Sequence, residues 1–201
     1  MRWRFFMTTA NKITILRVLL IPIMIVILYI EPLKVHMTIF GLRLNELLFA
    51  SIFLIASATD FIDGYIARKY NQITTFGKFL DPIADKVLVF TGLLYLMLQM
   101  SDRVPLWTVV LIIIREFMVT GIRLLAVEKG NVIAASHLGK YKTIFTLVAI
   151  IILLFNDFGL TAINPNFVWV GNVIYYIALI FTVISGVDYF MKNRKVVLES
   201  I

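Results

Sequence analysis

Six apolar stretches punctuate this 201-residue sequence, at Ile13–Ile30, Leu47–Ala67, Phe79–Met100, Val104–Ala126, Ile144–Gly159 and Phe167–Met191. At about 1.5 Å per helical residue, each covers most or all of the roughly 30 Å hydrocarbon layer of a bilayer. None shows the alternating polarity of a membrane β-strand, so helices are predicted. The rest of the chain cannot make up a polar coat: 61% of residues are hydrophobic and only 15% charged, against about 25% charged in a soluble domain. The predicted fold class is therefore all-α, a polytopic membrane protein built as a bundle of six transmembrane helices. No repeat, low-complexity tract or linker divides it, so residues 1–201 read as one membrane domain.

Charge placement gives the orientation. Arg2, Arg4 and Lys12 precede the first stretch, and Arg68, Lys69 and Lys78 separate the second from the third. Lys129, Lys140 and Lys142 separate the fourth from the fifth, and Lys192, Arg194 and Lys195 follow the sixth. The other side holds Lys34, Arg43 and Arg103. The positive-inside rule then puts both termini in the cytoplasm. The first stretch, with its basic lead-in, is too long for a signal-peptide core and runs into Glu31-Pro32 instead of a small-residue cleavage site. It reads as a retained helix bent at Pro22. Residues 1–7 are expected to form a short interfacial segment, with Met7 as the alternative start. Trp3, Trp107, Trp169 and Tyr189 read as interface anchors.

Against this background, ionised side chains inside the spans are conspicuous. Arg17, Lys86, Arg115, Glu116 and Arg123 are among them, together with Asp60, Asp63, Asp81 and Asp85. Each costs several kcal/mol in hydrocarbon, of order 3 on insertion scales, unless a partner or cavity receives it. The aspartates fall at i, i+3 (Asp60, Asp63) and i, i+4 (Asp81, Asp85), so each pair lies on one helix face. A turn near Lys69–Thr75 joins the two helices as antiparallel neighbours, with Asp63 and Asp81 nearer the turn and Asp60 and Asp85 one turn deeper; if the pairs face each other, four carboxylates converge. Hard divalent cations, Mg²⁺ or Mn²⁺, relieve their repulsion, and an all-oxygen set disfavours zinc. Two such ions about 4 Å apart are the usual apparatus for displacement at phosphorus. The chain has no cysteine and only two histidines, His36 and His137, neither of which needs a role. Gly64, Ala67 and Gly77 allow close approach, of a ligand or of a neighbouring helix. Arg68 can hold a phosphate, and Pro82 is expected near the start of the third helix, where a missing amide costs little.

Asp60-Phe-Ile-Asp63-Gly64-Tyr-Ile-Ala67-Arg68, eight residues, then Gly77-Lys-Phe-Leu-Asp81-Pro-Ile-Ala-Asp85 resembles the signature of the CDP-alcohol phosphatidyltransferase family at every defining position. Asn11, Thr14 and Arg17 resemble an N-terminal Asn-x-x-Thr-x-x-Arg of bacterial members. The resemblance implies transfer of a phosphatidyl group from CDP-diacylglycerol to an alcohol, with release of CMP. It implies that Asp60, Asp63, Asp81 and Asp85 bind two divalent cations and that Asp85 is the general base. It also implies that Asn11, Thr14, Asp60, Gly64, Ala67, Arg68 and Gly77 hold the CDP-diacylglycerol, and that the protein is a homodimer in the cytoplasmic membrane. No nucleic-acid partner is expected.

The acceptor is read from the remaining charges. Arg115 and Arg123 share roughly one helix face, and Lys140 and Lys142 follow on the next connection. Guanidinium grips phosphate oxygens in pairs, so these four are candidates for an acceptor phosphate. Arg115-Glu116-Phe-Met-Val-Thr-Gly-Ile-Arg123, with Gly139-Lys140-Tyr-Lys142-Thr143, is similar to the family members that act on glycerol 3-phosphate. Either lysine alone would also serve as ordinary cytoplasmic flanking charge. Glu116 reads as an ion-pair partner, and Asp188 as an interface residue or the partner of a lysine. Inositol phosphate and serine are the alternative acceptors. A divalent-cation transporter using the same aspartates is the alternative of another class.

Overall fold

The computed structural model describes residues 9–36, 39–69, 75–131, 133–134 and 136–198, with side chains at all of these except 9–10, 60–69, 75–76, 78, 162 and 165. Among them it is all-helical, with long helices α1 (Thr9–Ile27), α2 (Leu44–Lys69), α3 (Thr75–Gln99), α4 (Leu106–Glu128), α5 (His137–Leu154) and α7 (Val168–Leu198), and a one-turn α6 (Leu160–Ile163). An isolated bridge between His36 and Arg43 is the extent of β pairing among the described residues. Residues 1–7 lie outside the described residues. Among the described residues two helices, α5 and α7, are long and apolar enough to cross a membrane. In α4 the charges of Arg115, Glu116 and Arg123 interrupt a run that is otherwise as apolar. Large apolar side chains such as Phe79, Leu98, Ile114 and Leu124 stand on the surface, which suits lipid better than water.

The chain divides into two compact units, residues 1–92 with 154–162, and residues 93–153 with 163–201. In the first, α1 tightens at its end, where the amides of Leu28, Tyr29 and Ile30 donate to the carbonyls of Ile25, Val26 and Ile27. The helix therefore stops at Ile27, before the Glu31-Pro32 turn, with Pro22 inside it. At the start of α2 the Glu46 carboxylate accepts from the amide of Arg43 at 2.9 Å, half of a capping box. Asn45 Nδ2 donates to the carbonyl of Leu28 at 3.2 Å and closes an antiparallel α1–α2 hairpin. Met24, Phe49, Ala50, Phe53 and Ala56 are fully buried in this unit. Pro82 sits eight residues into α3, not in its first turn as expected. Its missing amide removes the helical donor for the carbonyl of residue 78, one turn from the aspartates.

In the second unit, α4 and α7 run in the same direction. Thr108 meets Tyr175 at 2.6 Å, Arg115 meets Ser185, Arg123 meets Tyr189 and Lys129 Nζ donates to the carbonyl of Val196. Both series rise together along the two helices. Helix α4 ends in a Schellman turn: Gly130 takes φ +76°, its amide donates to Val127 and that of Asn131 to Ala126. Helix α5 starts at His137, seven residues before the first residue of the predicted apolar stretch, because Ser136 caps it, its Oγ accepting from the amide of Gly139 at 3.1 Å. His137 is thus a first-turn helical residue. Tyr189 is buried and not an interface anchor, whereas Trp107 and Trp169 are exposed. Asp188 pairs with Lys192 one turn on. Helix α7 runs for 31 residues, about 46 Å at the α-helical rise, past the predicted end at Met191.

Candidate functional site

The first unit carries the carboxylates. Asn11, Thr14 and Arg17 recur at three-residue spacing on α1, and all three side chains are buried. Thr14 Oγ1 donates to Asp81 Oδ1 at 2.8 Å, and Arg17 donates through NH1 to Asp85 Oδ1 at 2.7 Å. An i, i+3 pair on α1 therefore meets an i, i+4 pair on α3, with the helices running in the same direction. The Arg17 side chain is fully buried while that of Asp85 is 45% exposed. The carboxylate is thus partly exposed and has one oxygen paired with a buried cation. Gly77 is buried one turn before Asp81.

Asp60, Asp63, Gly64, Ala67 and Arg68 lie in α2, and their side chains fall outside the described set. Their register is clear from the backbone. Asp63 is six residues before the end of α2 at Lys69, and Asp81 is six after the start of α3 at Thr75. Asp60 is nine before and Asp85 ten after. The two pairs thus stand at matching depths from the connection. Among the described side chains no group of three potential metal ligands occurs, since only Asp81 and Asp85 of the four are in that set. The donor chemistry fits a hard cation: carboxylate oxygens, no cysteine thiolate in the chain, and a partly exposed Asp85 side chain.

The second unit carries a basic cluster. Arg115 donates through NH1 to Glu116 at 3.1 Å and through NH2 to Ser185 Oγ at 2.9 Å. The ammonium of Lys142, on α5, pairs with the same Glu116 oxygen. All three charged side chains are largely buried. In this group one carboxylate stands between two cations, and Arg115 Nε is buried with no hydrogen-bond partner among the described residues. Such an orphan donor costs about 1–3 kcal/mol unless a ligand takes it. Glu116 is the ion-pair partner that the sequence suggested. Lys142 is a buried helical residue, so it does not serve as a flanking loop charge.

The other two basic candidates are placed differently. Arg123 is exposed; its Nε donates to Tyr189 Oη at 3.2 Å and its guanidinium lies 5.5 Å from that ring's centre. Lys140 is exposed on α5. Sequence reasoning missed Ser185 and Gly186 on α7, and it gave Arg17 no partner. A cation in the middle of an apolar run had to have one, which was the available signal for Arg17. Nothing in the local sequence marks Ser185 or Gly186.

A sequence model of CDP-alcohol phosphatidyltransferases matches residues 7–184. The CDP-diacylglycerol–glycerol-3-phosphate 3-phosphatidyltransferase of Bacillus subtilis (strain 168) is 42% identical over 193 residues, covering 94% of this chain and 97% of its own. The protein of the same name from Rickettsia felis is 41% identical over 186 residues, covering 92% and 94%. A probable phosphatidylglycerophosphate synthase of Mycobacterium tuberculosis (strain ATCC 25618 / H37Rv) is 38% identical over 187 residues, covering 92% and 81%.

Proposed function

We propose, from the premise that this chain belongs to the CDP-alcohol phosphatidyltransferase family, that it transfers the phosphatidyl group of CDP-diacylglycerol to glycerol 3-phosphate and releases CMP. The observation that carries the choice of acceptor is the near full-length identity of 42% to a relative named for that reaction. The buried pair of Arg115 and Lys142 around Glu116 supports it, because guanidinium and ammonium donors held in place are what a phosphorylated acceptor requires.

In the proposed mechanism Asp60, Asp63, Asp81 and Asp85 hold two divalent cations, Mg²⁺ or Mn²⁺. When bound, these supply Lewis-acid stabilisation of charge on the pyrophosphate. Thr14 and Arg17 orient Asp81 and Asp85 from α1. Asn11, Gly64, Ala67, Arg68 and Gly77 make the bed for the nucleotide and its phosphates. Asp85 takes the proton of the acceptor hydroxyl as its oxygen attacks the β-phosphorus. The new phosphorus–oxygen bond forms as the bond to CMP breaks. Arg115 and Lys142 hold the acceptor phosphate, with Arg123 and Lys140 attracting it from the exposed side. Catalysis takes place at the cytoplasmic face of a six-span, dimeric membrane protein with both termini in the cytoplasm; the parallel run of α4 and α7, with α5 returning between them in sequence, supports an alternating topology.

The test is CMP release by purified protein in detergent from CDP-diacylglycerol with a panel of acceptors. Glycerol 3-phosphate should be used, with serine and inositol phosphate unused. Turnover of either of the latter in preference would replace the acceptor assignment. Metal flux into liposomes without any lipid nucleotide would replace the enzymatic reading.

A further inference from the structure

We infer that Ser185 and Gly186 of α7 are positioning residues for the acceptor grip, fixing the plane of the Arg115 guanidinium and with it the preference for a phosphorylated acceptor. The inference rests on the proposed reading of Arg115 as a phosphate ligand. Ser185 is fully buried; its Oγ accepts from Arg115 NH2 at 2.9 Å and donates its one proton to the carbonyl of Thr182 at 3.1 Å. That second bond sets the polarity of the hydroxyl and turns its lone pairs to the arginine. Gly186 does the steric part. A Cβ there would stand 2.9 Å from Arg115 Cγ and 3.6 Å from Met118 Cε. The close atom is near the root of the arginine side chain, so any larger residue must swing the whole arginine or part α4 from α7.

On the opposite edge Glu116 holds NH1, and the first turn of α5 lies against NH2, where a Cβ on Gly139 would be 3.8 Å away. The guanidinium is thus held by Glu116 of its own helix and by Ser185 of α7 before any ligand arrives, with Glu116 in turn paired to Lys142 of α5. A planar fork recognises phosphate well only when its plane is fixed, because ordering it on binding would be lost from the affinity.

The experiment measures KM and kcat for glycerol 3-phosphate and for CDP-diacylglycerol in the full chain and in Ser185→Ala and Gly186→Ala, with glycerol as an unphosphorylated acceptor alongside. KM for glycerol 3-phosphate should rise about tenfold or more in Gly186→Ala, as for a misplaced binding group. It should rise about three- to tenfold in Ser185→Ala, as for the loss of one hydrogen bond to a charged group. KM for CDP-diacylglycerol should stay within about twofold, and the preference over glycerol should narrow in step, since the loss is confined to phosphate recognition. An unchanged KM for glycerol 3-phosphate in Ser185→Ala, which needs no repacking to fold, overturns the inference. So does an equal rise in both KM values. Failure of the underlying reading looks different. If the unmodified protein does not use glycerol 3-phosphate, or Arg115→Lys leaves its KM untouched, the phosphate assignment falls and this inference with it.

Discussion

Arg17 of α1 donates to Asp85 of α3 across 2.7 Å, and it does so from a position with no solvent exposure. A guanidinium so buried is tolerable only because it is paired, and the pairing holds Asp85 where α1 meets α3. Replacing Arg17 by Met should therefore cost stability, by about 1–3 kcal/mol once the partial exposure of Asp85 is discounted, and should lower turnover. Arg17→Lys should recover part of both. Thermal unfolding in detergent beside a CMP-release assay reads the two effects. Unaltered stability and rate in Arg17→Met would show that the pair is incidental.

Thr14 offers a finer probe of the same contact. Thr14→Ala removes one hydrogen bond to Asp81, worth about 1 kcal/mol or a factor of about five. Thr14→Ser retains the hydroxyl and should stay close to the parent rate. If the two variants behave alike, the hydroxyl does not orient Asp81.

Asp81→Asn should abolish CMP release with helix content by circular dichroism intact, and a chelator should do the same reversibly, with Mg²⁺ or Mn²⁺ restoring the rate. Activity that survives both treatments would remove the metal from the proposed mechanism.

Gly130 closes α4 at φ +76° with nothing within 4 Å of a built Cβ. Gly130→Ala should therefore lower stability by about 1 kcal/mol through backbone strain alone, leaving the KM of both substrates as it was. Calorimetry in detergent and steady-state kinetics separate these. A changed KM would mean that the turn shapes a binding surface.

Topology can be read directly, because the chain has no native cysteine. Single cysteines at the exposed positions Asn131 and Lys195 should react with an impermeant thiol reagent only from the cytoplasmic side, and those at Asp102 and Asn164 only from the other. Labelling of Asn131→Cys and Asp102→Cys from the same side would break the six-span reading.

Much of the architecture was legible along the chain. The apolar stretches locate every long helix, since hydrophobic burial and backbone pairing in lipid leave little choice but helix. Helix ends were less legible, because caps and turns override hydropathy: Ser136 starts α5 well ahead of its apolar run, and the Arg43–Glu46 bond starts α2. Interior charges marked Asp81, Asp85, Arg115 and Glu116 as residues needing partners, since an ionised group in an apolar run carries a cost that something must offset.

Which partner each one takes was decided only in three dimensions. Glu116 with both Arg115 and Lys142, Arg17 with Asp85, and Arg115 with Ser185 join residues from 1 to 70 positions apart. Sequence alone determined that this chain is helical, apolar and charged at a few internal points, because composition and periodicity are local properties. The tertiary structure decided which charges neutralise each other, because electrostatic pairing depends on distance in space and on burial, which no local pattern encodes.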